Sequence, residues 1–121
     1  MILVREIPGH WGTDQTSETW LTDAVIDGSL LPAGSRPMTL TCRVVVQDGD
    51  SASVYVRCGG TPGGIVGATQ VLFASQAGPF DDTVTLSGGS YAPVAGEILL
   101  HLSAQATTGT VDISDVSVTV T

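Results

Sequence analysis

The 121 residues carry twelve Asp and Glu against four Arg and no Lys, a formal charge of −8. A phosphate backbone or an anionic membrane surface calls for a basic stripe, so nucleic acid and lipid surfaces are excluded as expected partners. No apolar run reaches the roughly 18 residues of a membrane-spanning helix. Charged residues are only 13 %, about half the usual share, so Thr, Ser and Gly must cover the surface or partners must bury it.

The length suits one domain over 1–121. Its first ten residues read as a first strand or an N-terminal arm. "MILVREI" has only four apolar residues before Arg5 and Glu6, too few for the core of a signal peptide. Synthesis and folding in a cytoplasm are therefore expected, with exit by lysis or a dedicated machine. "PGHWG" (8–12) follows as a turn-rich loop holding His10 and Trp11. The one stretch with a helical alternative, 13–25, is rich in Thr and Asp, which disfavour helix interiors. "TWLTDAVI" (19–26) is taken as the second strand. Trp20 alternates there with Leu21 and reads as core, which leaves Trp11 as the better exposed aromatic. Tyr55 and Tyr91 complete the possible binding aromatics.

Beyond the turn-rich 27–37, the period of the apolar residues is two. "TLTCRVVVQ" (39–47) and "SVYVRC" (53–58) alternate and are rich in β-branched residues. "TQVLFAS", "DTVTLS", "EILLHLSAQ" and "TVDISDVSVTVT" behave alike. Gly, Pro and Asp punctuate them in "GGTPGGIVG", "QAGPFD", "SGGSYAPVAG" and "TTG". About eight short strands with such punctuation predict an all-β fold, an antiparallel sandwich or barrel.

Cys42 and Cys58 flank "DGDS". As a hairpin, this segment has two registers. Pairing Gln47 with Ser53 sets Cys42 opposite Cys58 and Arg43 opposite Arg57. A two-residue slip sets Cys42 opposite Val56 and Arg43 opposite Tyr55, and avoiding like charges favours it. Reduced core thiols are the expectation. A disulfide stays open; a zinc site lacks ligands, with only His10 and His101 to help. His101 has the opposite parity to Leu100 and Leu102 and is read as facing solvent or an interface. Asp48 and Asp50, Asp81 and Asp82, and Asp112 and Asp115 read as solvated turn carboxylates, or as donors to a calcium ion held between loops. Ser, His and Asp occur without a nucleophile-elbow signature, so neither catalysis nor a cofactor is expected.

In the last segment Val111 and Ile113 are odd-numbered, whereas Val116, Val118 and Val120 are even. One straight strand cannot bury both sets. Either a β-bulge lies at Ser114–Asp115, or one set faces the core and the other a second subunit.

The ending "GEILLHLSAQATTGTVDISDVSVTVT" resembles the closing hairpin of jelly-roll modules, and "LPAGSRPMTLTCRVVV" resembles the strand after a Pro-Gly turn in the same folds. The whole chain is similar in style to small β-sandwich structural proteins of tailed-phage virions, namely head decoration (cement) proteins and tail or fibre domains. The resemblance implies a single antiparallel β-sandwich of about eight strands, jelly-roll in type, and a non-enzymatic virion subunit that binds capsid or other virion proteins, most simply a head-lattice decoration protein and homo-oligomer. The region of Asp112 and Asp115 also resembles the final strand of carbohydrate-binding modules, which makes a glycan the alternative partner. The expected contact surface is the apolar terminal strand with its neighbouring aromatic: Met1, Ile2, Leu3, Val4, Arg5, Glu6, Ile7 and Trp11.

Overall fold

The computed structural model describes residues 2–29, 31, 34–59, 61–65, 68–91 and 96–121. Among them are eight strands and no helix: β1 (Leu3–Thr13), β2 (Thr19–Asp27), β3 (Arg36–Val46), β4 (Ser51–Gly59), β5 (Ala68–Ala77), β6 (Phe80–Tyr91), β7 (Glu97–Thr108) and β8 (Val111–Val120). The 13–25 stretch contributes β2 rather than a helix. Its Thr and Asp side chains suit an extended backbone, with Thr19, Thr22 and Asp23 all paired to β7.

All ladders are antiparallel, in the order β1-β8-β3-β6-β5-β4-β7-β2. The first four strands pair with the last four in reverse order, as if one long ribbon with its tip at β4–β5 had been rolled up. One continuous sheet results, joined across β5 and β6 at Phe73 and Ser87. It curls until its two end strands, β1 and β2, approach each other.

The core follows from period two. Met38, Leu40, Cys42, Val44 and Val46 of β3, Val54, Val56 and Cys58 of β4, and Ile98, Leu100 and Leu102 of β7 point inward and are fully buried. Both cysteines are free and buried, but the expected hairpin between them does not exist. β3 and β4 lie in different halves of the sheet, where Cys42 pairs with Val84 and Cys58 with Leu100 and Gln70. Instead of reversing into a hairpin, the chain crosses between the halves at Gln47–Asp50. Two other turns close on this one. Gly78 N donates to Asp50 O at 2.8 Å, and Thr110 N donates to the Asp50 carboxylate at 3.3 Å. A Cβ at Gly78 would strike the Gln47 carbonyl, and one at Gly109 (φ +72°) would strike the Asp50 carboxylate, so both turns need glycine.

The parity break in β8 is resolved as a bulge. Thr41 pairs with Ser117 but Arg43 with Ser114, and Asp115 sits at φ 53°. Val111, Ile113, Val116, Val118 and Val120 are therefore all buried. The expectation for "PGHWG" fails at the same place. Those residues continue β1, with Pro8 and Gly9 looping out beside Asp115 between the pairs Ile7–Val116 and His10–Ser114. Gly9 can take its φ of +142°, which turns Trp11 inward.

Candidate functional site

Among the described residues, five large apolar side chains are exposed: Ile2, Val4, Trp20, Val25 and Phe73. Three of them lie on the outer face of the half-sheet β5-β4-β7-β2. The registers place Trp20 opposite Ser103, Ser103 opposite Tyr55, and Tyr55 opposite Phe73. One row thus crosses four strands on one face. A bulge at Leu21 sets this arrangement: Trp20 pairs with Ser103 but Thr22 with Leu102. It turns Trp20 outward, 42 % exposed, while Leu21 packs on the core. The roles expected of the two tryptophans are thereby exchanged, since Trp11 packs against the core.

Beside this row lies a polar network. His101 is wholly buried, contrary to the expectation of an exposed position. Its side chain does point away from Leu100 and Leu102, but that side of β7 is covered. Imidazole Nδ1 lies 2.6 Å from Asp23 Oδ1, and Nε2 lies 2.6 Å from the Gly59 carbonyl. Asp23 also accepts the indole N–H of Trp20 and the backbone N–H of Gly63, both at 2.6 Å. Burial works against the Asp23 charge, but these hydrogen bonds outweigh it and hold the carboxyl below its ordinary value. Next along the face, Arg57 grips Glu18 with two bonds of 2.7 and 2.6 Å, and Ser103 donates to the same carboxylate at 2.7 Å. The Arg57 guanidinium is the main reason the Glu18 carboxyl is held low.

The Tyr55 ring is braced on two sides. It lies 5.1 Å from the Phe73 ring and 5.7 Å from the Arg57 guanidinium carbon, and its hydroxyl donates to Gln105 at 3.3 Å. Ser53 and Ser75 hydroxyls meet at 2.9 Å one step further along. This constellation holds aromatic rings and carboxylates rigidly. It gives the imidazole no role as a base, because both ring nitrogens already face acceptors.

The expected contact residues lie elsewhere. Leu3 to Ile7 form the start of β1, paired residue by residue with Val120 to Val116, so they are a sheet strand rather than a detached arm. Leu3 and Ile7 pack on the core; Val4, Arg5 and Glu6 are exposed, as is Ile2 before them. Met1 lies outside the described residues. Tyr91 ends β6 opposite Arg36, and its side chain is outside the described part. The paired aspartates are dispersed: Asp81 holds Arg43 through two bonds of 2.7 and 2.8 Å, Asp82 caps Thr83 N, and Asp112 lies 3.7 Å from His10. Among the described residues no three His, Cys, Asp or Glu side chains gather as a metal site. Burial alone pushes the Cys42 and Cys58 thiols up to about 12.

Glu18, Asp23, Arg57, Phe73 and Ser103 escaped the sequence reading. One signal for them was present: Tyr55 and Arg57 on one strand, and His101, Ser103 and Gln105 on another, form polar rows opposite the apolar parity. No protein-family model and no curated protein matches this chain.

Proposed function

We propose that this chain is a non-enzymatic structural subunit of a tailed-phage virion, made in the host cytoplasm and acting as a jelly-roll decoration module on the head lattice. The ribbon pairing β1–β8, β2–β7, β3–β6 and β4–β5 supports the jelly-roll reading, because rolling such a ribbon is what defines that fold. The observation that carries the assembly reading is β1. It ends the strand order, so its outer edge has no ladder partner among the described strands. Next to that edge Ile2 is 68 % and Val4 51 % exposed. An open, apolar edge is a liability in a free monomer and an asset in a subunit that adds to a neighbour. Arg5 and Glu6 follow Val4 with opposite charges, so apolar contact at Ile2 and Val4, about 25 cal/mol per Å², would supply the attachment.

The test is copurification with intact particles and the chain's oligomeric state, measured for the wild type and for Ile2→Lys and Val4→Lys. Both side chains are exposed, so the fold should survive while attachment or self-association is lost. Variants that assemble with unchanged affinity would sink this reading.

A further inference from the structure

We infer that the outer face of β5-β4-β7-β2 is a binding platform for an uncharged oligosaccharide, centred on Trp20, Tyr55 and Phe73. This goes beyond the assembly reading, which rests on β1 and not on this face.

The row from Trp20 to Phe73 crosses three strand spacings, about 14 Å at ~4.8 Å each. Its ends are exposed aromatic rings, 42 % and 49 % accessible. Between them lie Tyr55 and the Glu18–Arg57–Ser103 cluster. A chain of pyranose rings has the matching pattern, with C–H faces that stack on aromatic rings and a rim of hydroxyls that exchange hydrogen bonds. Arg57 uses only Nε and Nη2 in its pair with Glu18, so other N–H groups of its five can meet a hydroxyl.

The rings are held before any ligand arrives. The indole N–H of Trp20 is tied to Asp23, and Tyr55 is braced by Phe73, Arg57 and Gln105. Fixed aromatics present area at low entropic cost. Exposed rings set beside the buried His101 and Ser103 on one face make a patch of the kind that marks a contact site.

Charge selects the ligand class. The chain carries −8 overall; on this face Arg57 is held by Glu18, Asp23 lies against the His101 ring, and the exposed Asp27 and Glu97 stand opposite each other further along it. A sulfated or uronic glycan would meet no unmatched cation here. Polar groups alternate with the rings on this face, which suits hydroxyls better than the continuous apolar core of a protein interface.

The experiment titrates cellohexaose, maltohexaose, mannohexaose and a heparin hexasaccharide into the labelled full chain. It follows the Trp20 indole N–H and the Tyr55 and Phe73 ring resonances by NMR, with calorimetry alongside. At least one neutral hexasaccharide is expected to shift all three. Phe73→Ala and Trp20→Ala should each weaken binding by about tenfold or more. Trp20→Phe, which keeps a ring but loses the tie to Asp23, should fall between, with circular dichroism confirming the fold of each variant. The proposal is overturned if no neutral hexasaccharide binds, if heparin binds in preference, if binding ignores Trp20 and Phe73, or if a protein partner proves to occupy these rings.

Discussion

His101 and Asp23 meet at 2.6 Å, and the second imidazole nitrogen reaches the carbonyl of Gly59, the last residue of β4, at the same distance. A carbonyl can only accept, so Nε2 donates to Gly59, and Nδ1 faces the Asp23 carboxylate across the ring. The buried ring thereby joins three pieces of chain: β2 through Asp23, β7 through itself and the end of β4 through Gly59, with the Gly63 amide held on the same Asp23 carboxylate.

Replacing that ring should loosen the end of β4 and the sheet together. His101→Leu leaves the Asp23 carboxylate without its buried partner and the Gly59 carbonyl unsatisfied, at a cost of about 2 to 4 kcal/mol. Urea unfolding followed by circular dichroism measures the loss, and faster hydrogen exchange at the Gly63 amide localises it. An unchanged midpoint would show that the clamp holds nothing.

Carboxylates held low set the acid response, Glu18 and Asp23 in the polar network and Asp27 and Asp81 outside it. Glu18 and Asp23 are held below their ordinary values, so the native state binds their protons later than the unfolded chain does. Their stabilisation is complete above the unfolded carboxylate range of about 4 and is lost as pH falls through the lower native values. Melting temperatures between about pH 7 and pH 2 should therefore drop in the acid limb. Glu18→Gln should flatten that limb while lowering stability at neutral pH. An acid limb as steep as that of the wild type would remove Glu18 from the account.

The thiols are expected to be inert while the chain is folded. Both are buried and pushed up to about 12, far from the thiolate that reacts. A disulfide reagent at neutral pH should label the native protein slowly. Unfolding without reductant should then release both Cys42 and Cys58 at once. Fewer than two reactive thiols per unfolded chain would reveal a cross-link.

Asp115 should tolerate glycine and not deletion. Its left-handed backbone costs about 1 kcal/mol that glycine does not incur, so Asp115→Gly should stabilise slightly. Removing the residue restores a straight strand and turns out either Val111 and Ile113 or Val116, Val118 and Val120. Two such side chains alone are worth about 3 to 6 kcal/mol, comparable with the whole stability of a small domain. The deletion variant should therefore fail to give a cooperative thermal transition; a normal one would contradict the bulge.

Truncation of residues 1–7 is expected to weaken the fold itself. Leu3 and Ile7 pack on the core and their strand pairs with β8, so the segment does not behave as a dispensable arm. Thermal melting of the truncated chain should show a clear loss of stability. Only an unchanged melting temperature would restore the picture of a free arm. This is why the exposed Ile2 and Val4, and not the whole segment, are the proper probes of assembly.

What was legible in the chain is what depends on neighbours in sequence. Alternation over "TLTCRVVVQ", "EILLHLSAQ" and the other runs specified strands and their inward residues, because successive side chains in a strand must point to opposite faces. The parity change between Ile113 and Val116 located the bulge for the same reason. Burial of both cysteines followed from parity as well. What depended on distant segments was not legible. Cys42 and Cys58 stand near one another in the chain, yet a crossing at Gln47–Asp50 puts their strands in different halves, and nothing local distinguishes a crossing from a hairpin. Parity placed His101 away from the core, correctly, but whether that side meets water depends on Asp23 and Gly59 arriving from 78 and 42 positions away. The two tryptophans exchanged roles because bulges at Pro8–Gly9 and Leu21 reset which face each side chain takes. A bulge is fixed by the strand lying opposite, so only the tertiary pairing could decide which tryptophan the solvent sees.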